Sequence, residues 1–387
     1  MQRRQFIKSM AATLVLFKTP NAVAKALSAS SPKSGNKKII WVVLRGAMDS
    51  LHTLVPTFDT ELSVLRPKLL ASIKDDLLML DNGFALHPSL SNLHQWYKKG
   101  ELLPITAVSS GYAKRSHFDG QDYLESGLAN IDHDTGWLGR AVNMKDKQAL
   151  AIANSTPISL RSSEASTWYP SQLKEADEDV YQALMKMYQN DELLINRLED
   201  GLAVKEMADT MVGDRTLNIK KKGQFIELSK SCANLMMGNN GVDCAMLELG
   251  GWDTHNNQAT RLSRQLKALD QGLKALKDGL KDQWKDTVVV VATEFGRTVK
   301  ENGTGGTDHG TASAMFIAGG SVNGGKVLGD WPGLKNNQLF EQRDLMPTSN
   351  TFSWLATVLS QQWSLSDNQL KAVFPQVDKR TVKLFLG

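Results

Sequence analysis

Apolar residues recur along this chain with two different periods, and the change from one to the other outlines the fold. Four short runs are apolar at nearly every position: Lys38-Ile-Ile-Trp-Val-Val-Leu44, Leu102-Leu-Pro-Ile-Thr-Ala-Val108, Cys244-Ala-Met-Leu-Glu-Leu249 and Val288-Val-Val-Val-Ala-Thr293. Such runs predict strands covered on both faces, as in a parallel sheet between helices. Between the third and fourth runs, leucines at 262, 266, 269, 273, 276 and 280 alternate steps of four and three, with Lys, Asp and Arg among them. This stripe predicts an amphipathic helix. The segment from Asp243 to Glu294 therefore reads as a strand, helix, strand unit whose strands run parallel and end on one edge of the sheet. The expected fold class is α/β.

The middle of the chain follows neither pattern so cleanly. From about Asp177 to Met237 it is rich in Met, Leu, Lys and Glu, which predicts a helical insertion (about 177–237) covering the sheet or the site. At the other end, Arg3-Arg4-Gln5-Phe6-Ile7-Lys8 precedes an apolar run, Met10 to Phe17, and then Ala22-Val23-Ala24. That order reads as a twin-arginine signal peptide over 1–24. A flexible leader is expected at 25–37, and a single α/β domain over 38–387. An ordinary secretory signal, or a short anchor if it stays uncleaved, is the plainer reading of the same residues. No other stretch is long and apolar enough to span a bilayer.

Removing residues 1–24 changes the charge picture. The whole chain carries 45 Lys and Arg against 41 Asp and Glu. The signal holds Arg3, Arg4, Lys8 and Lys18 and no acid, so the mature chain is neutral, with nothing basic left to favour nucleic acid. The expected setting is the periplasm or exterior of a bacterium, reached through the twin-arginine translocase, with no stable membrane span after cleavage. Cys232 and Cys244 are expected as buried thiols, a single bridge being the alternative.

The candidate chemistry lies where the predicted strands end. Asp49 comes after the first, Ser116 and His117 after the second, Asp253 and His255 after the third, and Glu294 after the fourth, with Arg297 and the loop Gly306-Thr-Asp308-His309-Gly310 just beyond. Carboxylates and imidazoles gathered on one sheet edge suit a hard or borderline metal. Each has a plainer reading too: Asp253 as a turn or helix cap, His255 as a surface residue, Glu294 with Arg297 as a structural ion pair, Ser116 as a cap. No role is expected for His52, His87, His94 or His133.

Gly250-Gly-Trp-Asp-Thr-His255, Thr293-Glu-Phe-Gly-Arg-Thr298, Glu301-Asn-Gly303, Gly306-Thr-Asp-His-Gly310 and Gly329-Asp-Trp-Pro-Gly-Leu334 together resemble the bacterial family called domain of unknown function 1501. Arg115-Ser-His-Phe-Asp-Gly-Gln-Asp122 and Gly136-Trp-Leu-Gly-Arg140 fit it as well. That family is similar in turn to the alkaline phosphatase and sulfatase superfamily. The resemblance implies a three-layer sandwich with a mostly parallel central sheet and metals at the strand ends. It implies Asp49, Asp253, His255 and His309 as metal ligands, which Glu294 and Asp308 join on their position alone, and Ser116 as nucleophile. His117 and Arg297 would act beside it, and Arg297 or Arg115 would clamp the substrate oxygens.

One departure matters. The superfamily strand matching Val288 to Thr293 usually ends in Asp-His, and here Glu294-Phe295 stands in that place. An imidazole is missing unless Asp308 or His117 replaces it, so one metal site is expected rather than two. Zinc is the first expectation, with calcium or magnesium as alternatives. The implied activity is metal-dependent hydrolysis of phosphate or sulfate esters on a small-molecule or glycan substrate. The rival is a superfamily member that binds an envelope glycan, lipid or protein without turnover.

Overall fold

The computed structural model describes residues 37–170, 178–191, 194, 195, 198, 224–237 and 242–386. The expected signal peptide, the leader up to residue 36 and the stretch 199–223 of the expected insertion lie outside the described residues.

Eleven strands are found among the described residues: β1 (Lys38–Arg45), β2 (Leu54–Pro56), β3 (Leu78–Met79), β4 (Phe84–Leu86), β5 (Leu102–Ser109), β6 (Ala149–Ala151), β7 (Ser166–Thr167), β8 (Cys244–Gly250), β9 (Thr287–Thr293), β10 (Ser313–Gly319) and β11 (Ser349–Asn350). Eight form one sheet in the order β11-β5-β10-β9-β1-β8-β6-β7. β1 lies between β8 and β9 and pairs parallel with both, Ile39 standing opposite Cys244 on one side and Val288 on the other. Only β10 runs against its neighbours, antiparallel to β5 and β9. β2, β4 and β3 make a small separate antiparallel sheet.

The unbroken apolar runs arise because the central strands are covered twice. Ile40, Val42 and Leu44 of β1 join one core with Val289 and Val291 of β9, while Ile39, Trp41 and Val43 join a second with Val288, Val290 and Ala292. Successive side chains of a strand point to opposite faces, so an apolar residue is needed at every position. The protein is thus a mixed α/β fold, a mostly parallel sheet flanked by helices. The first core is closed by helices Ser91–Lys98, Gln224–Met237 and Gln258–Leu280, and the second by Trp137–Met144, Thr351–Trp363 and Asp367–Val373.

All six leucines of the sequence stripe are buried on helix Gln258–Leu280. Each contributes about 1.5–3 kcal/mol by leaving water, an upper bound because unfolded chains are partly collapsed. Truncating the central one, Leu269→Ala, would cost about 2–5 kcal/mol. Helix Gln224–Met237, expected within an insertion, packs against this helix as part of the layer covering the sheet. Cys232 and Cys244 are free and buried, and burial raises both thiols well above their ordinary pKa. Among the described residues, no helix is long and apolar enough to cross a membrane.

Candidate metal centre

Because β1, β5, β8 and β9 run the same way, the loops at their carboxyl ends all emerge at one edge of the sheet. β10 runs the other way, so the loop preceding it arrives at that edge too. The loop after β8 carries Asp253 and His255, that after β9 begins with Glu294, and the loop before β10 carries Asp308 and His309. After β5, Ser116 caps helix His117–Ser126 with extended backbone and no capping bond from its side chain. Two glycines let the loop before β10 close in: a Cβ on Gly306 would lie 2.3 Å from the His255 carbonyl carbon, and one on Gly310 would lie 2.4 Å from that of Arg297. A side chain at either position would clash with that backbone and force the loop to shift.

The donors gather around one oxygen. Asp253 Oδ1 lies 3.4 Å from His117 Nε2, 2.9 Å from His255 Nε2 and 3.3 Å from His309 Nε2. The ligand atoms of His117, Asp253 and His309 all fall within 4.8 Å of one another, close enough to share one ion. His255 stands beside this triad, its Nε2 also 2.9 Å from His309 Nε2. His117 and His309 cross edge to face at 4.2 Å between ring centroids, and Phe295 stacks on His117 at 5.0 Å. The phenylalanine that cannot ligate instead walls the centre.

Each imidazole has its other nitrogen held by an acceptor. His117 Nδ1 lies 2.8 Å from Glu294 Oε1, His255 Nδ1 3.1 Å from Asp308 Oδ1, and His309 Nδ1 2.8 Å from the Arg115 carbonyl oxygen. A carbonyl only accepts, so His309 carries its proton on Nδ1. Glu294 is fully buried, which alone would raise its pKa, but bonds from His117, Gln121 and Thr293 outweigh burial and hold it below the usual carboxylate range. Asp308 is likewise lowered, burial being outweighed by Asn302 and His255. Both are therefore ionised acceptors. Burial would lower the pKa of His117, but Glu294 and then Asp253 outweigh it and raise it. The Nε2 atoms of all three histidines face Asp253 Oδ1. His117 Nε2 is buried with no hydrogen-bond partner. His255 Nε2 and His309 Nε2 lie 2.9 Å apart, a spacing that one shared proton or one cation between them can bridge.

The charges fit the same picture. Burial favours neutral Asp253, but Arg297 Nη1 at 2.7 Å overrides it and depresses its pKa to about 2. Burial, with the positive neighbours His117 and Arg297, lowers His309 and keeps its imidazole neutral. Arrangements of this kind, in which a carboxylate or carbonyl orients a ligating histidine, fix the ring and raise its basicity toward metal.

The remaining candidates stand elsewhere. Asp49 is buried and caps helix Ser50–Thr53. Its two oxygens accept from Arg66 Nη1 at 2.8 Å each, Oδ2 also accepts from Gln258 Nε2 at 2.5 Å, and Thr307 Oγ1 lies 3.3 Å away. With both oxygens committed to these donors, it does not join the cluster. Glu294 approaches it only through His117, and its Oε1 also accepts from Gly46 N and Gln121 Nε2. The plainer reading of Glu294 and Arg297 as an ion pair is not realised: Glu294 pairs with His117 and Arg297 with Asp253. Arg297 is buried and spends its donors on Asp253, Thr307 Oγ1 and the Thr307 carbonyl, so it is not free to clamp a substrate. Arg115 is engaged by Glu341 and Asp344. Asp253 is not the cap of the long helix, which is Asn257. Sequence reasoning passed over Arg66, Gln121, Gln258 and Thr307. Gln258 is the one with a legible signal, a polar residue four positions before Leu262 on the leucine stripe, and it is fully buried.

Residues 36–374 match the family described as protein of unknown function, DUF1501. The chain belongs to that family. Two of the DUF1501 segments that carried the resemblance, Gly250 to His255 and Gly306 to Gly310, supply Asp253, His255 and His309. No curated protein matches this DUF1501 chain. Solved structures similar to it include the C-terminal periplasmic domain of EcEptC from Escherichia coli in complex with Zn, at 8% identity over 80% of this chain and 76% of that one, TM-score 0.39. Alkaline phosphatase from the Antarctic bacterium TAB5 is similar at 10% identity over 88% and 99%, TM-score 0.36. Ps i-CgsB is similar at 12% identity over 89% and 77%, TM-score 0.38.

Proposed function

We propose that this DUF1501 protein is an exported hydrolase of phosphate or sulfate esters with a single zinc site, in which His117, Asp253 and His309 hold the metal and His255 is the fourth donor. The observation that carries the reading is the convergence of three oriented Nε2 atoms on Asp253 Oδ1. Imidazole with one carboxylate is a zinc donor set, whereas calcium and magnesium take oxygen ligands, so the residues fit zinc best among the three expected metals. Zinc, when bound, would act as a Lewis acid that neutralises charge building on the ester oxygens.

The protein's own groups supply the rest. Ser116 is half-exposed, precedes the ligand His117 directly and sits at a helix N-terminus, where a developing anion is favoured. Its Oγ would attack phosphorus or sulfur and displace the alcohol, and water would then cleave the serine ester. Asp253 and His255 are each partly exposed, which leaves the side from which substrate enters open. Export rests on the leader sequence alone.

A second reading, binding without turnover, is favoured by the engagement of Arg115 and Arg297 in ion pairs of their own, which leaves neither free for a dianion. Assaying zinc-loaded protein and Ser116→Ala on aryl phosphate and aryl sulfate panels separates the two. Hydrolysis reduced by orders of magnitude in Ser116→Ala supports the hydrolase. No turnover of any ester by zinc-loaded wild type supports binding alone.

A further inference from the structure

We propose that Asp344, which is outside the cluster and distant from it in sequence, is a positioning residue that sets the geometry of the metal centre; the inference rests on the zinc reading of that centre. Asp344 is fully buried, and its Oδ2 accepts three bonds: Arg115 Nη2 at 2.8 Å, Arg115 Nε at 3.0 Å and Thr311 Oγ1 at 2.8 Å. Arg343 Nη1 occupies Oδ1 at 3.0 Å. Three chain segments that carry the centre meet at this residue. Arg115 directly precedes Ser116 and His117. Thr311 lies two residues after His309. The Asp344 backbone bridges Thr298, the neighbour of the Arg297 that holds Asp253.

The consequence is sharpest at Arg115. Its backbone is left-handed, with φ of 60°, a conformation that a non-glycine residue keeps only when its surroundings impose it. In that conformation its carbonyl accepts from His309 Nδ1, so the strained turn selects the bare Nε2 that faces the metal. The two-point grip of Asp344 on the Arg115 guanidinium holds the turn in place, since a forked contact fixes orientation as well as distance. Glu341, the other partner of Arg115, is exposed and anchors it less firmly.

The test is zinc affinity, measured by competition with a chromophoric chelator on folded, full-length protein well below its melting temperature. Asp344→Asn keeps the shape and removes the charge, and Arg115→Lys keeps the charge and removes the fork. Each is expected to weaken zinc about 10–100-fold, the usual effect of losing a residue that supports a ligand. Should Asp344→Asn fail to fold, Arg115→Lys and Thr311→Val carry the test. Asp270→Asn is the control: Asp270 is a buried carboxylate on the long helix that accepts from Asn92 and Leu93, and its loss should lower stability without changing zinc affinity. Wild-type affinity in both Asp344→Asn and Arg115→Lys overturns the positioning role while leaving the zinc site intact. Equal weakening in Asp270→Asn would mean that any loss of core stability has this effect, and overturns it too. Absence of zinc binding by wild type overturns the zinc reading itself, and this inference with it.

Discussion

Glu294 Oε1 stands 2.8 Å from His117 Nδ1, and this contact gives a strand that ends in Glu-Phe its place in the candidate metal centre. The carboxylate is not itself among the three grouped ligand atoms. It holds a histidine that follows a different strand. Glu294→Gln should weaken zinc about 10–100-fold while the protein remains folded. Glu294→Ala should in addition lower stability by about 1–3 kcal/mol, because the buried Gly46 N–H loses its acceptor. Chelator competition and thermal melting on both variants check the two effects separately.

His255 can serve in either of two ways, and one substitution tells them apart. Its Nε2 lies at ligand spacing from both Asp253 Oδ1 and His309 Nε2, while its Nδ1 is oriented by Asp308. As fourth ligand, His255→Ala should weaken zinc at least about 10-fold, with turnover restored by excess metal. As a proton carrier held by Asp308, it should leave zinc affinity unchanged and lower kcat by about 10²–10⁴. The first outcome is the one expected.

Asp49 is expected to matter for stability and not for metal. Asp49→Ala would leave Arg66 as an uncompensated buried charge, at a cost of about 3–5 kcal/mol. Zinc stoichiometry in the folded fraction should be unchanged. Loss of metal at full stability would return Asp49 to the ligand set.

Acid sensitivity should come from a buried histidine pair beside Asp49. His52 and His87 cross edge to face at 5.4 Å, and burial lowers their pKa values to about 3 and about 4. For His52, attraction to Asp49 opposes that shift, while His87 and Arg66 add to it. The unfolded chain binds these protons near pH 6.5 and the folded protein does not. Stability is therefore complete above about pH 6.5 and declines as pH falls toward the folded values, by about 1–2 kcal/mol per histidine at pH 5. Urea midpoints from pH 7.5 to pH 5 should fall in wild type and fall less steeply in His87→Gln.

Much of the scaffold was legible in the sequence because its physical cause is local. β1, β5 and β9 declare themselves by being covered along nearly their whole length and β8 by its buried first four residues, and helix Gln258–Leu280 by its leucine spacing. β6 and β7, three and two residues long, carry too little pattern to be seen. The strand ends located the site, but not who pairs with whom within it. Asp49 and Asp253 occupy similar places after parallel strands. One meets Arg66, which ties up both its oxygens, and the other meets three imidazoles, a difference made by tertiary contacts. Likewise, nothing local shows that Glu294 faces His117 and not Arg297, because that depends on where helix His117–Ser126 docks.

The most direct test of a zinc centre built on His117, Asp253 and His309 is the zinc content of purified protein after equilibration with zinc and removal of excess, for wild type, His117→Ala, Asp253→Ala and His309→Ala. One zinc per wild-type chain is predicted, with its loss in each variant and folding preserved by circular dichroism. Zinc absent from wild type, or retained at full stoichiometry when His117 or His309 is removed, would contradict that centre.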